Sequence, residues 1–144
     1  MSRSFPLAGL LRLRQVQQDQ AAIDLSAANA RVAEGTSRQR RARSALGATS
    51  SEATSASVLY AVAASRAASR SMLAELQALD CDHRISLDAA NTVFTAARAR
   101  SIGLEKLEVR FDDAVANGIL AAEQATLDEI SSTSWHRTRE VDAG

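Results

Sequence analysis

Apolar residues in the first third of the chain fall at Leu7, Leu11, Ala21, Leu25, Ala28 and Val32, with Arg14 and Gln18 filling the positions between. Alternating steps of four and three predict a helix that carries a coiled-coil seam. Leu10, Leu13 and Val16 broaden the stripe at its start, as if this end met more than one neighbour. Ser4 is a candidate cap, with Pro6 tolerated in the first turn. The pattern carries through the polar segment from Arg38 to Arg43 and on to Leu46; Gly35 weakens it and Gly47-Ala48-Thr49-Ser50-Ser51 ends it. An arm over residues 6–46 would span about 60 Å at the helical rise.

A second helical pattern follows. Thr49 and Glu52 have capping-box spacing, which predicts a start near residues 50–53. Val58, Leu59, Val62, Leu73, Leu76 and Leu79 recur on a loose helical period. Residues 50–80 therefore either extend a hairpin or fold into short helices at its tip. Asp80-Cys81-Asp82-His83 is the other candidate break, although a continuous helix can also run through it; His83 is expected at the surface there. From Ile85 the pattern resumes through Val93, Ala97, Leu104, Leu107, Phe111 and Ala114, then Ala121, Ala122, Leu127 and Ile130. Leu104, Leu107 and Phe111 read as a buried stripe. Gly103 and Gly118, each costing about 1 kcal/mol relative to alanine in a helix, mark either a close helix approach or a bend.

These elements predict an all-α fold, a long antiparallel two-helix coiled coil, in one domain over residues 1–144. Arm one covers residues 6–46, a turn and tip region 47–80, and arm two 81–138. Composition agrees. Pro6 is the only proline, and about a fifth of the residues are alanine. Three phenylalanines, one tyrosine and one tryptophan are too few to fill a compact globular core. Charge sharpens the picture further. Residues 1–46 carry eight arginines against Asp19, Asp24 and Glu34, whereas 104–144 carry nine acids against Lys106, Arg110, Arg137 and Arg139. A basic first arm and an acidic last arm favour folding back, although exposed pairs contribute only about 0–1 kcal/mol each.

The candidate chemistry is sparse. No GxxxxGK[ST] or GxGxxG motif is present, and His83, His136 and Cys81 suggest no nucleophile–base pair, so no catalytic, cofactor-binding or metal-binding residue is assigned. Asp80, Cys81, Asp82 and His83 fan out around a helix and have no second ligand cluster. The Arg38–Arg43 cluster lacks aromatic interleaving and sits in a chain of zero net charge, which argues against nucleic acid as a partner. Its alternatives are a solvated face or a patch for an acidic protein. A lone cysteine fits a reducing cytosol, and no apolar run approaches the roughly 18 residues of a membrane span.

The most specific strings are Leu104-Glu105-Lys106-Leu107 and Glu123-Gln124-Ala125-Thr126-Leu127-Asp128-Glu129-Ile130, together with the opening FPLAGLLRLRQVQQDQAA at 5–22. They resemble the signatures of the FliJ family of flagellar type III export proteins, over roughly 5–34 and 100–132. The resemblance implies a non-enzymatic stalk in the pore of the hexameric flagellar export ATPase. It also implies contact with the membrane export gate protein, a part in escorting unloaded export chaperones, and a cytoplasmic location at the inner face of the cell membrane. The alternative is a generic coiled-coil scaffold, or the stalk of a related secretion system. On this reading the two chain ends together form the ATPase-facing tip, with Gln124, Asp128 and Trp135 in contact and Leu7, Leu10 and Leu13 beside them. Trp135 lies among polar residues, so it either meets a partner or folds back over the leucine-rich first turn. Arg38 and Arg41, with Leu59 and Tyr60 nearby across the turn, form the candidate export-gate patch, since tyrosine and arginine are favoured at binding hot spots.

Overall fold

Ser55 begins the longer of two helices: its Oγ accepts the Val58 amide at 3.3 Å, and its carbonyl accepts that of Leu59 at 3.0 Å. A serine here satisfies an amide that the first helical turn leaves without a partner. The computed structural model describes residues 4–49, 52 and 54–142, with the side chains of Ser134 and 136–142 outside that description. Helix α1 is Ala8–Ala48 and α2 is Ala56–Asp142, packed against each other as an all-α helical hairpin. No described residue is in a strand.

Several boundaries differ from those the sequence suggests. Ser4 does not cap α1, which starts at Ala8 after a turn in which the Ala8 amide donates to the Phe5 carbonyl. Thr49 and Glu52 form no capping box for α2, because Thr49 Oγ1 donates back to the Ala45 carbonyl and so belongs to the end of α1. Residues 56–80 are neither a separate tip nor a set of short helices; they are the first turns of α2, and the connection between helices is confined to 49–55. No break occurs at Asp80–His83. Without proline, and with alanine so frequent, nothing in this stretch interrupts the helical hydrogen bonds.

Packing groups the chain into two units. One comprises Gln15–Ala99, the other Met1–Arg14 with Arg100–Gly144. In the first, Gly35 faces Asp80 and His83, Gln39 Nε2 donates to the Leu76 carbonyl at 3.2 Å, and Arg66 Nη2 to the Thr49 carbonyl at 3.4 Å. Positions rise along α1 as they fall along α2, so the pair is antiparallel. Its covered positions on α1 are 18, 21, 25, 28, 32, 35, 39, 42 and 46, with Ser37 partly covered beside them, and on α2 62, 66, 69, 73, 76, 80, 83, 87, 90, 94 and 97. Both series keep the three–four alternation of a coiled coil. The most deeply covered are alanines: Ala21, Ala28 and Ala97.

In the second unit Leu11 and Ser101 are buried, and Phe5 and Phe111 meet with centroids 5.7 Å apart at 55°. Here the covered positions of α2 are 101, 104, 108, 111 and 115, with 102 partly covered beside them. Leu107 was expected in the buried stripe but is 44% exposed, and Val93 in the other unit is 59% exposed. Glu108 and Phe94 take the covered positions instead, because the heptad step fixes which residue faces the partner helix whatever its polarity. Gly103 and Gly118 serve neither a close approach nor a break in α2, since a Cβ at either would meet nothing within 4 Å. Substituting Gly103→Ala should therefore raise stability by about 0.5–1 kcal/mol through helix propensity alone. Urea unfolding checks this; a loss of stability would mean that the glycine has a packing role.

Candidate functional site

Surfaces are the candidates among the described residues, and three stand out. The first is the end of α2. Val115 is the last partly covered position, and every residue from 116 to 133 is exposed. Phe111 marks the level reached by Phe5 before α1 begins, so no described residue of α1 lies alongside this stretch. Gln124, Asp128 and Trp135 recur at intervals of four and seven, which puts them on one face of the helix. Trp135 is 58% exposed within α2. Gln124 lies about 20 Å beyond Phe111 and Trp135 about 36 Å beyond it, at 1.5 Å per residue.

Leu7, Leu10 and Leu13 are also exposed, at 40, 39 and 51%. Because the pair is antiparallel, they lie on the Arg100 side of Phe111, away from Gln124. The sequence reading gathered all six residues at one tip. The structure instead separates the leucines from the polar stripe of Gln124, Asp128 and Trp135, since α2 continues far past the start of α1.

The second surface is the candidate gate patch, which also divides in two. Tyr60 is 77% exposed and Leu59 56%, both in the first turns of α2. Arg38 and Arg41 line a groove with Ala42, Ala45, Met72 and Leu76. Leu76 is sixteen residues from Tyr60, or about 24 Å along the helix. "Nearby across the turn" is thus corrected: α2 begins well before it reaches the level of these arginines. Both converge on one carboxylate, Arg38 Nε donating to Glu34 Oε1 at 2.9 Å and Arg41 Nη2 to the same oxygen at 3.2 Å.

Beside them is a groove of about 420 Å³ lined by Ala30, Arg31, Glu34, Gly35, Arg38, Leu76, Leu79, Asp80 and His83. Asp80 Oδ2 accepts Arg84 Nε at 2.8 Å, while Asp80 Oδ1 and His83 Nδ1 are buried without a hydrogen-bond partner. Both face Gly35, where an added Cβ would meet them at the ordinary contact distances of 3.8 and 3.6 Å. His83 is therefore a half-covered seam residue and not a surface residue beside a break. The clue was in the sequence: 80, 83, 87 and 90 keep heptad spacing, but a polar run reads as punctuation when residue type is weighed above position. Among the described residues, no group of three His, Cys, Asp or Glu side chains could hold a metal ion.

Electrostatics follow the pairs. The hydrogen bond from Arg38 holds Glu34 below its ordinary value of 4.5, helped by the charges of Arg38 and Arg41 and opposed by desolvation. Arg84 is raised, chiefly by its hydrogen bond to Asp80. A depressed carboxylate stabilises the fold above its unfolded value, and that contribution is lost as the pH falls through the folded one. Carboxyl titration by NMR should therefore place Glu34 below an ordinary glutamate, and Arg38→Ala should return it most of the way; an unchanged titration would remove the pairing. In the seam, His83→Leu should raise stability by about 1 kcal/mol, because an apolar side chain replaces a buried group with no partner. Thermal unfolding reads this directly, and a destabilised variant would show that His83 has a partner in solution.

The flagellar FliJ protein family matches the chain over residues 3–140, nearly its whole length. No curated protein and no solved structure matches it. Among the described residues, no helix is long and apolar enough to cross a membrane.

Proposed function

Because the chain belongs to the FliJ family, whose members are components of the flagellar export apparatus, we propose that it acts as the central stalk of the hexameric export ATPase. The observation that carries this reading is the end of α2, a continuous helix whose residues 116–133 are all exposed. A helix of that length without a partner strand or helix is marginal on propensity alone, so an acceptor that surrounds it is its natural complement. The sequence supplies no phosphate-binding loop, which makes the chain the non-enzymatic member of such a pair, with hydrolysis in the ring.

The opposite end of α2 suits the other proposed contact. Leu59 and Tyr60 form a small exposed apolar patch beside the helix connection, and the membrane export gate would meet them there. Arg38 and Arg41, held by Glu34, would act as a separate basic site for the gate or for unloaded export chaperones. On this reading the protein would work in the cytoplasm, peripheral to the inner face of the cell membrane.

The test uses purified export ATPase with three forms of the chain: the full chain, Trp135→Ala, and a chain ending at Val115, which keeps every covered seam position. The full chain should stimulate ATP hydrolysis, and the truncated chain should lose about tenfold or more in binding while its remaining helix pair stays folded. Equal stimulation by the full and truncated chains would reject the stalk reading.

A further inference from the structure

Beyond Val115 the frame that α1 covers would continue over Gly118, Ala122, Ala125 and Glu129. Nothing on that line is larger than alanine until a glutamate. The large apolar side chains stand elsewhere. Ala116, Leu120, Leu127 and Ile130 fall on their own three–four series, 113, 116, 120, 123, 127 and 130, a little under half a turn around the helix from the seam. Leu120, Leu127 and Ile130 are 61, 63 and 59% exposed, and Ile119 at the edge of the stripe is 55% exposed. A three–four stripe of this kind is what a helix shows to a packed neighbour, yet no described residue covers it. Its frame also differs from the one that meets α1, so extending the existing pair would leave it bare.

Charge narrows the occupant. Between residues 112 and 133 stand Asp112, Asp113, Glu123, Asp128 and Glu129, with no lysine or arginine. Asp113 and Glu123 occupy positions of the apolar series itself. A second copy would bring the same five carboxylates against these, and an anionic lipid surface would repel them. We propose that the 113–130 stripe is the docking face for a partner protein that presents an apolar groove with a lysine- or arginine-bearing rim, its cationic groups about 15 Å apart to meet Asp113 and Glu123. This goes beyond the stalk reading, because it fixes the face of the helix and the chemistry of the partner whichever protein that is. It also differs from the polar face of Gln124, Asp128 and Trp135.

The experiment is site-specific photo-crosslinking of the full chain in flagellated cells. A photoreactive residue replaces Ile119 or Ile130 on the stripe, or Gln124 or Asp128 off it, and the partner peptide is sequenced by mass spectrometry. Crosslinks from 119 and 130 should exceed those from 124 and 128 by about tenfold, the captured peptides should carry lysine or arginine beside apolar residues, and Leu120→Ser with Leu127→Ser should abolish capture. Asp113→Lys with Glu123→Lys should lower capture about tenfold, with helicity unchanged by circular dichroism. Stronger capture from 124 and 128, capture of a second copy, no capture at all, or indifference to charge reversal would each overturn the inference. If the export ATPase is captured only through 124 and 128, the stalk reading survives and this one does not. If an apolar, basic surface of some other protein is captured through 119 and 130, the reverse holds.

Discussion

Packing of two helices along a seam whose most deeply covered residues are mostly small is the constraint on which the rest depends. The deepest positions of the seam are Ala21, Ala28, Ala97 and Ser101, with Leu11 the one large side chain among them. Burying a methyl group removes little area from water, so each alanine layer contributes a fraction of what a leucine layer would at about 25 cal/mol per Å². The protein compensates by repetition: a modest contact recurs every three or four residues through each unit. Gly35, buried at the same seam, carries the pattern to its limit.

Polar residues enter the seam where alanine leaves room. Arg66, Asp80, His83 and Ser101 all hold heptad positions, and each has a buried atom without a hydrogen-bond partner. Such groups weaken the pair, since a buried polar atom without a partner costs about 1–3 kcal/mol. They also distinguish one register from another in a seam where alanine would accept several, which is the best-attested use of polar groups in coiled coils. Asp80 shows how local pairs soften the cost: one of its oxygens is held by Arg84 on the next turn, and the other faces the space beside Gly35.

The hairpin was legible because heptad spacing and the scarcity of proline are properties of position, and position survives without knowledge of the partner. The α1 seam from Leu11 through Val32 is covered as the spacing requires, Arg14 and Gln18 included. Local chemistry was less informative. Thr49 and Glu52 had the spacing of a cap, yet Ser55 took that role, because the connection between helices sets which hydroxyl reaches a free amide. Leu107 and Val93 looked like seam residues by type, while Glu108 and Phe94 hold the seam by phase. The two candidate contact groups are each divided in space for a common reason. Residues close to one turn or one terminus in sequence were assumed to be close in space, but α2 has 87 residues against 41 in α1, so the ends do not coincide.

That inequality of length has a kinetic side. The last turns of α2 hold their shape by local propensity, strong at Ala121, Ala122 and Ala125, weak at Gly118 and at Ser131, Ser132 and Thr133. An isolated helical peptide of this size relaxes between helix and coil within about a microsecond, so a partner that binds there would have to hold the segment in the helix. Part of the contact free energy is then consumed in ordering the segment, which lowers affinity without lowering selectivity. A complex made this way would turn over rapidly.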